Sequence, residues 1–184
     1  LKSIGYDPGA YENFTLEAPN LKGLAKLDWN LSNKHKLSLT YTFLDASKQK
    51  PAHPSAIGRR GPDFTTLQFR NAGYQINNKL NQVIGELKSS FGSSASNKFQ
   101  LGYSAFRDSR DPFSKPAPTI QILEGGTRYI IAGHEPFSIY NNLNQDVLQI
   151  NDNLNLYLGS HTLTIGVAYE QFKFDNAFNL GAYP

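Results

Sequence analysis

One basic and aromatic segment carries the residues of this sequence that are best suited to contacting a ligand. The segment runs from Lys48 to Asn78 and reads KQKPAHPSAIGRRGPDFTTLQFRNAGYQINN. Guanidinium groups bind anions, and aromatic rings stack on cations or cover apolar groups. The segment therefore predicts contacts to an anionic or amphipathic ligand, with a loop packed on its neighbours as the alternative. The candidate contact residues are Arg59, Arg60, Phe64, Arg70 and Tyr74.

The other polar residues form no catalytic or metal-binding pattern. The four histidines, His35, His53, His134 and His161, occur singly, and we interpret them as solvated polar residues rather than ligands. Cysteine is absent, which excludes disulfides, thiolate metal sites and cysteine nucleophiles. We expect neither an enzyme nor a bound cofactor or metal ion.

The charges are spread along the chain. Asp108, Arg110 and Asp111 lie in the segment RDSRDP, which we interpret as a solvated cluster at a strand end, with a ligand contact as the alternative. The net charge of +3 is modest, and the sequence has no run of lysines and arginines of the kind that marks nucleic-acid binding. Nucleic acid is therefore not an expected partner.

These residues are positioned by segments that alternate between apolar and polar side chains. In HKLSLTYTF, His35 to Phe43, the leucines, Tyr41 and Phe43 share one parity, and the serine and threonines share the other. A period of two is typical of a β-strand, and no segment has a helical period. The pattern predicts an all-β chain with six strands, at about 23–32, 36–45, 82–91, 98–107, 147–158 and 162–174.

The connections between these strands alternate in length. Short polar turns join the strands in pairs, and two long loops, at about 45–78 and 108–144, separate the pairs. An extra hairpin around EGGT is expected in the second loop, and ENFTLEA is a weaker candidate for a short strand. Compact soluble domains seldom carry two such loops, whereas outer-membrane barrels combine short periplasmic turns with long extracellular loops.

Strand length also favours a membrane barrel over a soluble sandwich. The mean hydropathy is −0.45, and no apolar run is long enough for a helical membrane span. Strands of about ten residues, tilted by roughly 45°, span about 24 Å, which matches the apolar band of transmembrane barrels. Aromatic residues such as Trp29, Phe91 and Tyr103 lie near the ends of the runs, as in interfacial girdles.

Several segments together resemble one known family. LAKLDWNLSNKHKLSLTYTFLDASK, SNKFQLGYSAFRDSRDPF and LYLGSHTLTIGVAYEQFKFDNAFN are similar to the barrel of TonB-dependent outer-membrane receptors from Bacteroidota. The subgroup with an N-terminal carboxypeptidase-like regulatory domain is the most similar. The resemblance implies an antiparallel barrel of about 22 strands around a plug, located in the bacterial outer membrane. It also implies import of a nutrient with energy supplied through TonB.

The resemblance implies partners as well. These are outer-membrane lipid, the rest of the same barrel with its plug, the TonB complex and a surface lipoprotein. Because the sequence contains no plug, TonB box or regulatory domain, we expect residues 1–184 to form a partial barrel domain within a longer protein. Two alternatives stay open: a non-transporting outer-membrane surface binding protein and a soluble β-sandwich adhesin.

Overall fold

The computed structural model describes residues 2–52, 65–135 and 141–178, and this part of the chain is built from strands. Short 3-10 turns occur at Lys2–Ile4 and Arg70–Ala72, and no described helix is long and apolar enough to cross a membrane. The strands are β1 (Asn20–Asn30), β2 (His35–Lys50), β3 (Leu67–Gln68), β4 (Tyr74–Phe91), β5 (Ala95–Pro112), β6 (Ile120–Glu124), β7 (Thr127–Ala132), β8 (Asn142–Leu158) and β9 (His161–Ala177).

Six long strands form one antiparallel sheet in the order β1-β2-β4-β5-β8-β9. Each strand pairs with the next along the chain among these six, so the sheet is an up-and-down meander. Within the described residues β1 and β9 are edge strands, each with one paired neighbour. The predicted all-β, antiparallel class is confirmed.

Three tight turns join the strands in pairs at one end of the sheet, which we call the turn end. Between β1 and β2, Ser32 Oγ accepts hydrogen bonds from the backbone N–H groups of Lys34 and His35, at 3.1 and 3.2 Å. The other two turns contain Gly92 and Gly159, whose φ angles of 65° and 63° favour glycine. The chain thus reverses in a few residues at this end, as predicted.

The two long connections meet at the opposite end of the sheet, which we call the loop end. A second, three-stranded sheet forms there in the order β3-β7-β6. The predicted hairpin around EGGT is confirmed as β6 and β7, whereas ENFTLEA forms no assigned strand. The end of this segment and the residue after it still run along β2, because the N–H groups of Gln49 and Ser47 donate to the backbone oxygens of Glu17 and Pro19.

The long strands extend further than the alternation indicated. β2 continues to Lys50 instead of ending near residue 45, and β4 begins at Tyr74 instead of near residue 82. β5 and β8 likewise extend to Pro112 and back to Asn142. The connections are accordingly shorter than the predicted loops.

The sheet has two different faces, named here after residues of β2. The Leu39 face carries Leu37, Leu39 and Tyr41, and the Ser38 face carries Ser38 and Thr40. Leu39 is 47% exposed and Tyr41 is 40% exposed, whereas Ser38 is buried. The buried apolar cluster lies instead in the long connections, at Ala52, Ala72 and Ile131. No described layer covers the apolar face, as a soluble sandwich would require.

Candidate functional site

An exposed apolar band crosses all six strands on the Leu39 face. Leu27, Leu39, Leu101, Ile150 and Tyr169 lie in one register row, with Gly85 between them on β4. Neighbouring rows add further leucine, valine and tyrosine side chains, many of them exposed. The hydrogen-bonded pair of Asn97 and Asp152 interrupts the band on β5 and β8. An exposed apolar surface of this extent is typical of a face that contacts a partner or a membrane.

The band runs diagonally across the sheet. Leu21 ends the band on β1 toward the loop end and is in register with Asp175, whereas the band on β9 ends six residues earlier, at Tyr169. At the turn end, Trp29 is in register with Val167, but the band on β9 continues four residues further, to Leu163.

The band therefore shifts by about one residue per strand. A shift of about 3.4 Å across a strand spacing of about 4.8 Å corresponds to strands tilted by about 35° from the normal of the band. Barrel strands tilt by about 35–45° from the barrel axis. An apolar band of constant height therefore crosses the sheet diagonally, because the strands are tilted relative to it.

The two faces exchange polarity toward the loop end. On the Leu39 face the apolar band gives way to Asp45 and Lys79, whose side-chain atoms are 3.5 Å apart. Arg107, in register with Lys79, pairs with Asp146 at 2.6 Å. This end of the Leu39 face is therefore suited to water or to lipid headgroups rather than to hydrocarbon.

The Ser38 face carries a hydrogen-bonded polar layer toward the turn end. Ser38 Oγ donates to Asp28, and Gln100 Nε2 donates to Glu86 Oε2 at 2.9 Å. Further cross-strand bonds of this layer run from Gln82 to Ser104, from Gln149 to Glu170 and from Thr164 to Asn155. These polar groups are satisfied by neighbouring strands, which suits a surface out of contact with lipid.

An apolar strip follows on the same face toward the loop end. Leu44, Leu80 and Phe106 lie in register on β2, β4 and β5, and each is partly exposed. The strip continues toward β9 through Val147, Phe172 and Phe174. The Ser38 face is therefore not uniformly polar, because a group of apolar side chains interrupts it.

A cavity of about 490 Å³ lies beyond this strip at the loop end. Asp108 and Arg110 from the RDSRDP segment contribute opposite charges to its lining, and side-chain amides contribute donors and acceptors. An adjoining cavity of about 460 Å³ shares Arg110 and reaches His134. Such a lining can orient a polar ligand by hydrogen bonds. The amide residues of the first cavity are Asn78, Asn141, Asn142 and Asn176.

The sequence-predicted contact residues are only partly within the described structure. Arg59, Arg60 and Phe64 lie outside the described residues. The Arg70 guanidinium carbon lies 4.9 Å from the centre of the Phe113 ring. Tyr74 is 6% exposed, and its ring centre is 6.0 Å from the guanidinium carbon of Arg110. The structure thus connects Tyr74 with the cavity through Arg110 and leaves Arg70 stacked on a neighbouring connection.

His134 corrects the interpretation of the histidines as solvated residues. It is 1% exposed, its Nδ1 lies 3.0 Å from Ser114 Oγ, and its backbone oxygen accepts a hydrogen bond from Thr119. Burial lowers the pKa of His134 below its ordinary value. The sequence offered no signal for this position, since the packing partners come from a separate part of the connection.

The comparisons with known proteins agree with this geometry. A family model described as "Outer membrane beta barrel domain" matches residues 5–183. No curated protein and no solved structure matches the chain. The matched range includes both sheets and both cavities.

Proposed function

The chain belongs to the outer membrane beta barrel domain family, and from this premise we propose that it forms part of the wall of a TonB-dependent transporter. The transporter imports a nutrient across the bacterial outer membrane with energy supplied through TonB. Its Leu39 face contacts lipid, and its Ser38 face lines the lumen. Family membership does not favour the soluble β-sandwich alternative. The resemblance of several segments to TonB-dependent receptors of Bacteroidota supports TonB-dependent transport as the function of this barrel.

The observation that carries the proposal is the apolar strip on the Ser38 face. In an open, water-filled pore Leu44, Leu80 and Phe106 would stay in contact with water. Fully burying each such side chain contributes about 1.5–3 kcal/mol, so a protein domain inside the lumen is the favourable partner for this strip. A plugged lumen distinguishes TonB-dependent transporters from open porins.

The loop-end cavity gives the transporter a place to receive its substrate. Arg110 and Asp108 line it on the luminal side, above the apolar strip. A ligand held there would lie between the long connections and the domain that fills the lumen. The cavity therefore supports an entry site with polar recognition.

Two measurements on the intact protein test the proposal. In a planar bilayer with KCl on both sides, we expect the plugged barrel to conduct far less than an open porin of similar size. The purified protein is also expected to bind the periplasmic domain of TonB. Replacing Leu80 with Asp should loosen the plug and increase the conductance, because the strip then offers an unpaired charge to an apolar surface.

The matched control is Gln82→Asp, which adds the same charge at a position on the same strand and face that is already polar. A large conductance in the wild type would contradict a plugged lumen. A closed barrel that does not bind TonB would instead identify a non-transporting surface binding protein.

A further inference from the structure

Three lysines lie side by side on the Ser38 face at the turn end. Lys36 on β2 is directly opposite Lys88 on β4, and Lys88 is directly opposite Lys98 on β5. Adjacent strands are about 4.8 Å apart, so the three side chains form one short row across the sheet. We call Lys36, Lys88 and Lys98 the lysine row.

The carboxylates beside the lysine row do not balance its charge. Glu86 lies 3.0 Å from Lys88 and 3.1 Å from Lys98. Asp28 lies 3.4 Å from Lys26 and also interacts electrostatically with Lys36. Four lysines on this part of the face therefore share two carboxylates, which leaves two positive charges in excess.

The row is costly for the sheet alone, since like charges directly opposite on neighbouring strands are destabilising. The side chains of Lys88 and Lys98 are also accessible, at 59% and 43% exposure. They face a cavity of about 460 Å³ that is further lined by Asn30, Lys34 and Ser96. The arrangement is a cationic recess with room for an anionic group.

We propose that the lysine row binds an acidic, extended segment of the domain that fills the lumen. The inference rests on the proposed function, which places the Ser38 face inside the barrel. Alternate side chains of an extended segment are about 6.8 Å apart on one side, whereas the row spans about 10 Å. Two carboxylates spaced by two residues therefore reach all three amines and supply the missing charge.

Carbodiimide cross-linking of the intact protein in detergent tests this docking. The reagent joins a carboxylate to a lysine amine within ion-pair distance, and mass spectrometry identifies the joined peptides. Links from Glu86 to Lys88 and Lys98 serve as an internal positive control, because these ion pairs are already formed. We expect additional links from the lysine row to acidic residues of a segment outside the six-stranded sheet.

The triple variant Lys36→Gln, Lys88→Gln, Lys98→Gln should lose these additional links. The matched control replaces Lys22, Lys48 and Lys50 with Gln, which removes the same charge from the same face toward the loop end, and it should keep them. Heat-modifiable mobility in gel electrophoresis verifies that both variants fold.

The inference is overturned if the wild type yields only the Glu86 links, or if both triple variants lose the additional links equally. Its failure is distinguishable from failure of the transport proposal. A low-conductance barrel that binds TonB but shows no additional links refutes the docking alone. Additional links in a barrel that does not bind TonB refute transport and keep the docking.

Discussion

His134 couples the long second connection to pH through its burial. The imidazole is almost fully enclosed, and burial lowers its pKa below the ordinary value of 6.5. The native connection therefore binds fewer protons than the opened connection. The burial of neutral His134 contributes its full stabilising free energy above about pH 6.5, and this contribution is lost as the pH falls below that value. The connection that covers the loop end is thus expected to open more readily in acid.

Hydrogen exchange of the β7 amides at pH 5 and pH 7.5, corrected for intrinsic rates, checks this prediction. Protection should be weaker at pH 5, and His134→Gln should remove the difference because it cannot be protonated. His161→Gln, which alters an exposed histidine at the start of β9, should retain the difference. Equal pH dependence in wild type and His134→Gln would contradict the role of this residue.

Gly133 is the residue at which backbone conformation limits the same connection. Its φ is +95°, and a Cβ there would overlap the backbone oxygen of Pro118. We expect Gly133→Ala to destabilise the connection by more than the roughly 1–3 kcal/mol of backbone strain, because overlap adds to strain. Gly126→Ala is the control, since Gly126 has a φ of +78° but open space around it. Protease resistance of the β6–β7 hairpin distinguishes the two variants, and an equal loss of resistance would contradict the overlap.

Residue-scale contacts in the candidate site were the least predictable from sequence. The chemistry of Arg70 and Tyr74 makes them candidates from sequence, but their neighbours Phe113 and Arg110 come from the next strand and its connection. The sequence indicates a charge cluster at Asp108 and Arg110, with ligand contact only as the alternative. Their place in a cavity depends on β8 and β9, which no local pattern encodes.

At the scale of strands, alternation predicted the six long elements and failed at their ends for one physical reason. Past Phe43 the Leu39 face of β2 continues with Asp45, while the Ser38 face gains Leu44. The backbone ladder continues to Lys50, but the apolar residues change parity. A prediction that requires apolar residues at every second position therefore ends the strand where the apolar residues move to the other face. The backbone pairing continues for several more residues.

The lipid-facing assignment predicts opposite effects for neighbouring residues of β2. Leu39→Lys places a charge in the apolar band and should destabilise the folded protein by about 2–4 kcal/mol if it lies near the bilayer midplane. Thr40→Lys places the same charge on the luminal side and should change stability far less. Denaturant titration in phospholipid vesicles measures both free energies of unfolding. Equal losses would contradict the assignment of faces.

At the scale of the whole molecule, Trp29 reports where the band meets the membrane surface, and its fluorescence is isolated as the difference between the wild type and Trp29→Phe. Trp29 lies at the turn end of the band and is 60% exposed on the Leu39 face. Its fluorescence should be quenched most by lipids brominated near the headgroup, since aromatic residues at band edges lie at the interface. A tryptophan at position 101 in a Trp29→Phe background should be quenched most by bromines deep in the acyl chains.

Quenching of Trp29 by aqueous iodide alone, with no response to brominated lipid, would contradict membrane contact by this face. Quenching of both tryptophans at the same depth would contradict a band that spans the bilayer. The two positions together measure the depth of the band in the bilayer. The diagonal shift gives only the position of the band from one strand to the next.

The diagonal band also bears on how the barrel is assembled. A hairpin paired one residue out of register turns its apolar side chains toward the lumen, because side chains alternate between faces. A slip of two residues restores the face but moves the apolar stretch by about 5–6 Å along the membrane normal at this tilt. Both errors place polar groups in hydrocarbon, where they are costly. During insertion the bilayer therefore stabilises the correct strand register over these two errors, because only the correct register places the apolar stretch of every hairpin in the hydrocarbon.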